Sequence, residues 1–160
     1  MPEYDHEIAT TRKLLDRLTE ARFTWKPHGK SMSIGGLATH IANLPNWAGT
    51  ILEGSVFDIA DAPPNLAELT SAAEGLTRFD ESSARARAKL DRTDAEYLEM
   101  WTFKNHGKEV FTMPRVIALR SFVLNHLVHH RGQLSVYLRL NDIPVPAIYG
   151  PSADERGFLG

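Results

Sequence analysis

Apolar residues recur at helical spacing through four stretches of the chain, separated by glycine and proline. The first runs from about Pro2 to Arg22, with Ile8, Leu14, Leu15 and Leu18 as a loose stripe and acids in its first turn, where the helix dipole favours them. Pro27 and Gly29 break the pattern, and Phe23 and Trp25 are expected to anchor the loop that follows. The second begins after Ser33, a good N-cap, and runs to about Glu53, with Pro45 predicted to kink it and Gly54 to end it. The connection Ser55–Asn65 leads to a third amphipathic stretch from Leu66 to about Arg92. The fourth opens on Pro114 and continues to about Asn141.

Two segments do not fit a helical period. Between Thr93 and Met113, YLEMWTF is ambiguous between helix and strand, KNHGKE reads as a turn and EVFTM suits a short strand. A small hairpin or a structured crossover is compatible with this stretch. The C-terminal DIPVPAIYGPSADERGFLG is too rich in proline for a helix and too apolar for a free tail. It is expected to pack along the helices or on a partner subunit, with its last residues loose.

Composition narrows the class. A length of 160 residues suits a single domain over 1–160, able to bury roughly 70% of its unfolded surface. No cysteine is present, so a metal must sit on nitrogen and oxygen. A formal net charge of −2 gives no basic footprint for nucleic acid. No apolar run reaches a membrane span, and the polar N-terminus does not read as a signal peptide. The expectation is a soluble cytoplasmic protein.

The fourth stretch carries the candidate chemistry, in NHLVHHRGQLSVYLR from Asn125 to Arg139. At about 100° per residue, His126 shares a stripe with Leu119, Phe122, Val123, His130, Gln133, Tyr137 and Leu140. His129 falls near the edge of that stripe, and Arg131 points away from it. Two histidines one turn apart can converge on one ion. Both cannot be protonated at close range, and each neutral ring needs partners for its nitrogens. A third ligand is wanted, and His40 lies at the centre of the second stretch's buried stripe, with Gly36, Leu37, Leu44 and Trp47 around it. Three histidine ligands leave a coordination position open, as catalytic sites do. Imidazole suits Zn, Ni, Cu or Fe, with Zn or Ni expected here. Trp47, Gln133 and Tyr137 are candidate pocket residues. Core packing is the competing role for Trp47 and Tyr137, and a structural hydrogen bond for Gln133. His6, His28 and His106 fall in polar positions and are expected at the surface. No phosphate-binding loop or nucleophile elbow appears.

The run HLVHHRGQLSVYLR followed by NDIPVPAIYGPSADE resembles the C-terminal half of the DinB family of small bacterial proteins, and LATHIANLPNW resembles its second-helix histidine segment. This family is unrelated to the DNA polymerase of the same name. The resemblance implies an all-α fold: a four-helix bundle of up-down-down-up topology, with a long structured crossover and a non-helical C-terminal tail, often as a homodimer. It implies a divalent ion held by three histidines, matching His40, His126 and His130. It also implies a metal-dependent enzyme, a transferase, isomerase or hydrolase acting on a small molecule, with a low-molecular-weight thiol as co-substrate in characterised relatives. The alternative is a non-catalytic, stress-associated metal-binding dimer. No carboxylate is placed beside the histidines by the sequence, which counts against hydrolysis.

Overall fold

The computed structural model describes residues 2–62 and 67–156. The expected start of the third helix at Leu66, the end of the connection before it and the last four residues of the tail lie outside the described residues.

Helix α1 (Pro2–Leu15) is shorter than the first apolar stretch; a turn follows it, and Glu20–Arg22 forms a 3-10 turn. The loop beyond is anchored as expected. The carbonyls of Phe23 and Trp25 accept from the backbone N–H groups of Gly35 and Ile34, both at 2.9 Å. Ser33 then caps α2 (Ile34–Asn43) by accepting from the Gly36 N–H. Pro45 breaks the second stretch where its missing donor requires. A 3-10 turn at Leu44–Asn46 separates α2 from α3 (Trp47–Glu53). Helix α4 (Ala72–Lys89), capped by Ser71, packs against α1 and α2. The fourth stretch is α6 (Arg115–Leu119), a π-helical turn (Arg120–Asn125) and α7 (His126–Leu140), with α7 against α1 and α2.

The fold is mostly helical but not the all-α four-helix bundle expected from the sequence. It contains a three-stranded mixed sheet in the order β1-β2-β3. Strand β1 (Val56–Asp58) pairs in parallel with β2 (Met100–Asn105), which pairs antiparallel with β3 (Lys108–Pro114). The cause is local. The segment that periodicity left ambiguous alternates Trp101 and Phe103 on one face, and Phe111 and Met113 answer them across the hairpin. His106 and Gly107 both take positive φ, 50° and 77°, which a tight two-residue hairpin turn demands. Asp58 at the end of β1 accepts from the His106 and Gly107 N–H groups and so ties the first strand to that turn. A short helix, α5 (Asp94–Leu98), precedes β2 and starts on a capping box formed by Thr93 and Glu96.

The apolar interior forms two clusters. One gathers Leu14, Leu15, Ile34, Leu37, Ile41, Phe79, Leu127, Leu134 and Leu138 from the long helices. The other gathers Tyr4, Ile51, Trp101, Ala118 and Val123 beneath the sheet, and Ile8 and Trp47 pack against both.

One buried charge joins the first helix, the last helix and the tail. Arg131 is 1% exposed and Glu7 is 7% exposed. The Arg131 guanidinium donates to the Glu7 carboxylate at 2.6 Å, to the Glu7 carbonyl and to the Thr11 hydroxyl. Tyr149 closes the network by donating to Glu7 at 2.8 Å, and Arg131 lies over its ring. The tail therefore packs along the bundle, with Ile143 and Val145 against the core. Arg131 does point away from the histidine stripe, but into the α1 interface rather than into solvent. Removing one partner strands a buried charge, whereas removing both does not. Arg131→Leu should lower unfolding stability by about 3–5 kcal/mol, and adding Glu7→Leu should recover much of that loss in denaturant melts. Additive losses in the double variant would contradict the pairing.

Candidate metal centre

Helices α2 and α7 pack together and bring the three selected histidines to one place. His40, His126 and His130 each offer a ring nitrogen within 4.8 Å of the others. The Nε2 atoms of His40 and His126 are 3.2 Å apart, although the residues are 86 positions apart in sequence. Ring centroids lie 5.0 Å apart for His40 and His126, 4.5 Å for His40 and His130, and 4.6 Å for His126 and His130. The i, i+4 spacing on α7 places two rings on one face, and the α2 packing supplies the third.

Neighbouring groups orient these rings. The Nδ1 of His130 is 2.8 Å from the Gln133 side-chain oxygen. An amide oxygen can only accept, so Nδ1 carries the proton and the neutral ring keeps a lone pair on Nε2. The Phe122 carbonyl, one turn earlier, favours the protonated form of the His126 ring. The π-helical turn ends immediately before His126 and sets its phase relative to α6. Sequence periodicity carries no signal for that turn, yet such bulges recur at functional sites.

Burial and mutual repulsion keep the cluster neutral. Burial, then the charges of His130 and His126, push His40 from the ordinary 6.5 down to about 4. His126 is lowered by burial and by its histidine neighbours, against the pull of the Phe122 carbonyl. Burial also lowers His130, with Gln133 opposing. Two lone pairs 3.2 Å apart repel unless a proton or a cation lies between them. For tetrahedral coordination at about 2.05 Å, two ligand nitrogens should stand roughly 3.3 Å apart. The donor set and the observed spacing thus fit a divalent ion. The group contains no carboxylate.

The other candidate residues divide. Gln133 acts directly on a histidine. Trp47 packs among aromatic rings, 5.4 Å from Phe122 and 5.3 Å from Phe57, joins the core and makes no described contact with the histidines. Tyr137 packs edge-on against Trp25 at 5.6 Å and makes no described contact with the histidines. His129 is exposed, as are His6, His28 and His106.

The DinB family profile matches residues 4–156, and the chain belongs to that family. An uncharacterized Bacillus subtilis protein, YrdA, is 27% identical over 163 residues, spanning all of this chain and 92% of that protein. The crystal structure of a DinB-like protein from Bacillus cereus shares the fold at a TM-score of 0.63 and 26% identity, covering 91% of this chain and 93% of that one. A DinB-like protein from Bacillus subtilis, YjoA, shares it at 0.67 and 18% identity, covering 90% and 96%. No helix among the described residues is long and apolar enough to cross a membrane.

The depressed His40 pKa has a consequence for the metal-free protein. Between about pH 6.5 and about 4 the unfolded chain binds the more protons at this residue, so its contribution is present above that window and is lost as pH falls through it. Thermal melts of chelator-treated protein should show stability falling from pH 7 to 4, with a shallower fall in His40→Gln. Equal slopes in the two proteins would contradict a neutral, crowded His40.

Proposed function

We propose that this DinB-family chain is a metal-dependent enzyme whose divalent ion, Zn or Ni, is held by His40, His126 and His130. The observation that carries the reading is the convergence of three neutral imidazoles from two helices, with Gln133 fixing the tautomer of one. A divalent ion in such a site supplies a Lewis acid that lowers the pKa of an incoming thiol or water and polarises a carbonyl.

The residues of the chain define what remains to be done. His130, with its proton held at Nδ1 by Gln133, presents Nε2 as a donor. His40 and His126 present Nε2 atoms 3.2 Å apart, one from α2 and one from α7. The histidine cluster offers no carboxylate as general base. That absence favours a substrate which brings its own acidic nucleophile, a small thiol, over hydrolysis by a base-activated water. The reaction class supported is therefore thiol-dependent transfer or isomerisation of a small molecule. In this reading the protein works in the cytoplasm as a homodimer, with the exposed Val136 and Leu140 of α7 available as an apolar contact. A non-catalytic metal-binding protein would use the same ligands without exchanging a small molecule at the ion.

Purified protein should hold about one divalent ion per chain by elemental analysis, and His126→Ala should lose it. Unchanged metal content in that variant would overturn the assignment. Gln133→Leu should keep the ligands but weaken metal affinity by roughly 10–100-fold in chelator competition, because His130 loses its fixed tautomer. An affinity equal to wild type would remove Gln133 from the site.

A further inference from the structure

A cavity of about 120 Å³ lies beside the π-helical turn, on residues that the metal centre does not use. Three of the six residues of that turn, Arg120, Val123 and Leu124, line it. Tyr4 of α1, Ala48 of α3, Tyr97 of α5 and Val116 and Leu119 of α6 supply most of the remaining wall. None of the three clustered histidines is among the lining residues. Protein interiors ordinarily close a space of this size. A longer side chain at the fully buried Ala48, or a larger one at Val116, would fill part of it. The chain instead keeps small residues there and a π-helical turn beside them, and such turns recur at functional sites.

The wall specifies the occupant. It is mostly apolar. The two tyrosines that border it have already spent their protons: Tyr4 donates to the Ser83 carbonyl at 2.9 Å and Tyr97 to the Leu90 carbonyl at 2.6 Å. A polar ligand would lose its water partners without gaining these donors. Glu3 and Arg120, the two exposed lining residues, mark the mouth and pair with each other at 2.9 Å. An anion seeking Arg120 meets Glu3 beside it, and a cation seeking Glu3 meets Arg120. A neutral apolar molecule meets neither opposition. Size follows from volume, since an apolar cavity of roughly 150 Å³ stays dry and accepts benzene.

We propose that this cavity is a ligand site distinct from the metal centre, and that it takes a neutral apolar molecule of about benzene size. The ligand rests on the π-helical turn, so binding and the integrity of the turn are linked: opening the turn destroys the site. The turn ends immediately before His126, which places the ligand on the segment that sets the phase of α7. The site needs no metal ion, and it stands or falls separately from the histidine cluster.

Benzene, benzoate and benzylammonium are titrated into the full chain near pH 7 and followed by amide NMR. Benzene should bind saturably, with a Kd of about 1 mM or tighter, and at least about tenfold more tightly than either charged probe. The largest shifts should fall on Val116, Leu119, Val123 and Leu124. With benzene at about ten times its Kd, hydrogen exchange over Arg120–Asn125 should slow by about tenfold, because only the closed turn binds. Val116→Phe, and Ala48→Val as a smaller filling should the first disturb folding, should weaken benzene at least about tenfold while keeping the circular dichroism of wild type. Benzene that fails to saturate, benzoate or benzylammonium that binds equally well, or wild-type benzene affinity in both variants overturns the site. Shifts centred on other residues, or unchanged exchange over the turn in the bound protein, overturns it as well.

Discussion

Two imidazole nitrogens, from residues 86 positions apart in sequence, stand 3.2 Å from each other on half-buried rings. Neither ring is easily charged there, because burial and the neighbouring histidines both oppose protonation. A third ring completes the cluster with its own proton committed to Gln133. Such an arrangement concentrates lone pairs, and concentrated lone pairs call for a cation. The surrounding structure is what makes that concentration sustainable. Helices α2 and α7 must pack closely, and α7 must keep its rotational phase.

Several devices secure this. Pro45 ends α2 one turn beyond His40 and redirects the chain into α3, so that Trp47 stacks on Phe122 just ahead of α7. The π-helical turn joins α6 to α7 just before His126. On the far side of α7, the buried Arg131–Glu7 pair locks the helix to α1, and Tyr149 adds the tail to the same lock. Since Arg131 follows His130 directly, the lock and the candidate ligand are set by a single helical phase. A buried ion pair is a poor source of net stability but a strict one in geometry, because a rotated helix would leave its charge unpaired.

Much of this was legible from residue spacing, and the exceptions are instructive. The histidines could be sorted because a metal cluster needs rings on one face of each helix, and helical period is the strongest signal a sequence carries. Ser33 as a cap and Pro45 as a break are local rules and hold locally. Arg131 does point away from the histidines as its position on the helix requires, but its destination was not legible, because a helix inside a bundle has two buried sides. Pointing away from the histidines meant pointing at α1, and its partner Glu7 lies 124 residues earlier. The sheet escaped the fold class because Met100–Asn105 and Lys108–Pro114 are short apolar runs whose period does not separate strand from helix. Strand β1 is shorter still, and only its parallel partner, more than forty residues on, reveals it as a strand. The π-helical turn has no compositional mark. Family resemblance pointed to three histidines that do come together, and to a pure helical bundle that the sheet overturns, because the sheet lies in a stretch that the matching segments did not include.

The central claim is that all three imidazoles bind one ion. X-ray absorption at the metal edge of the loaded protein tests it most directly. The account predicts three imidazole nitrogens in the first shell at about 2.0–2.1 Å, with the remaining position taken by an exchangeable oxygen or sulfur. A first shell with fewer than three imidazoles, unaltered by His40→Ala, would contradict it.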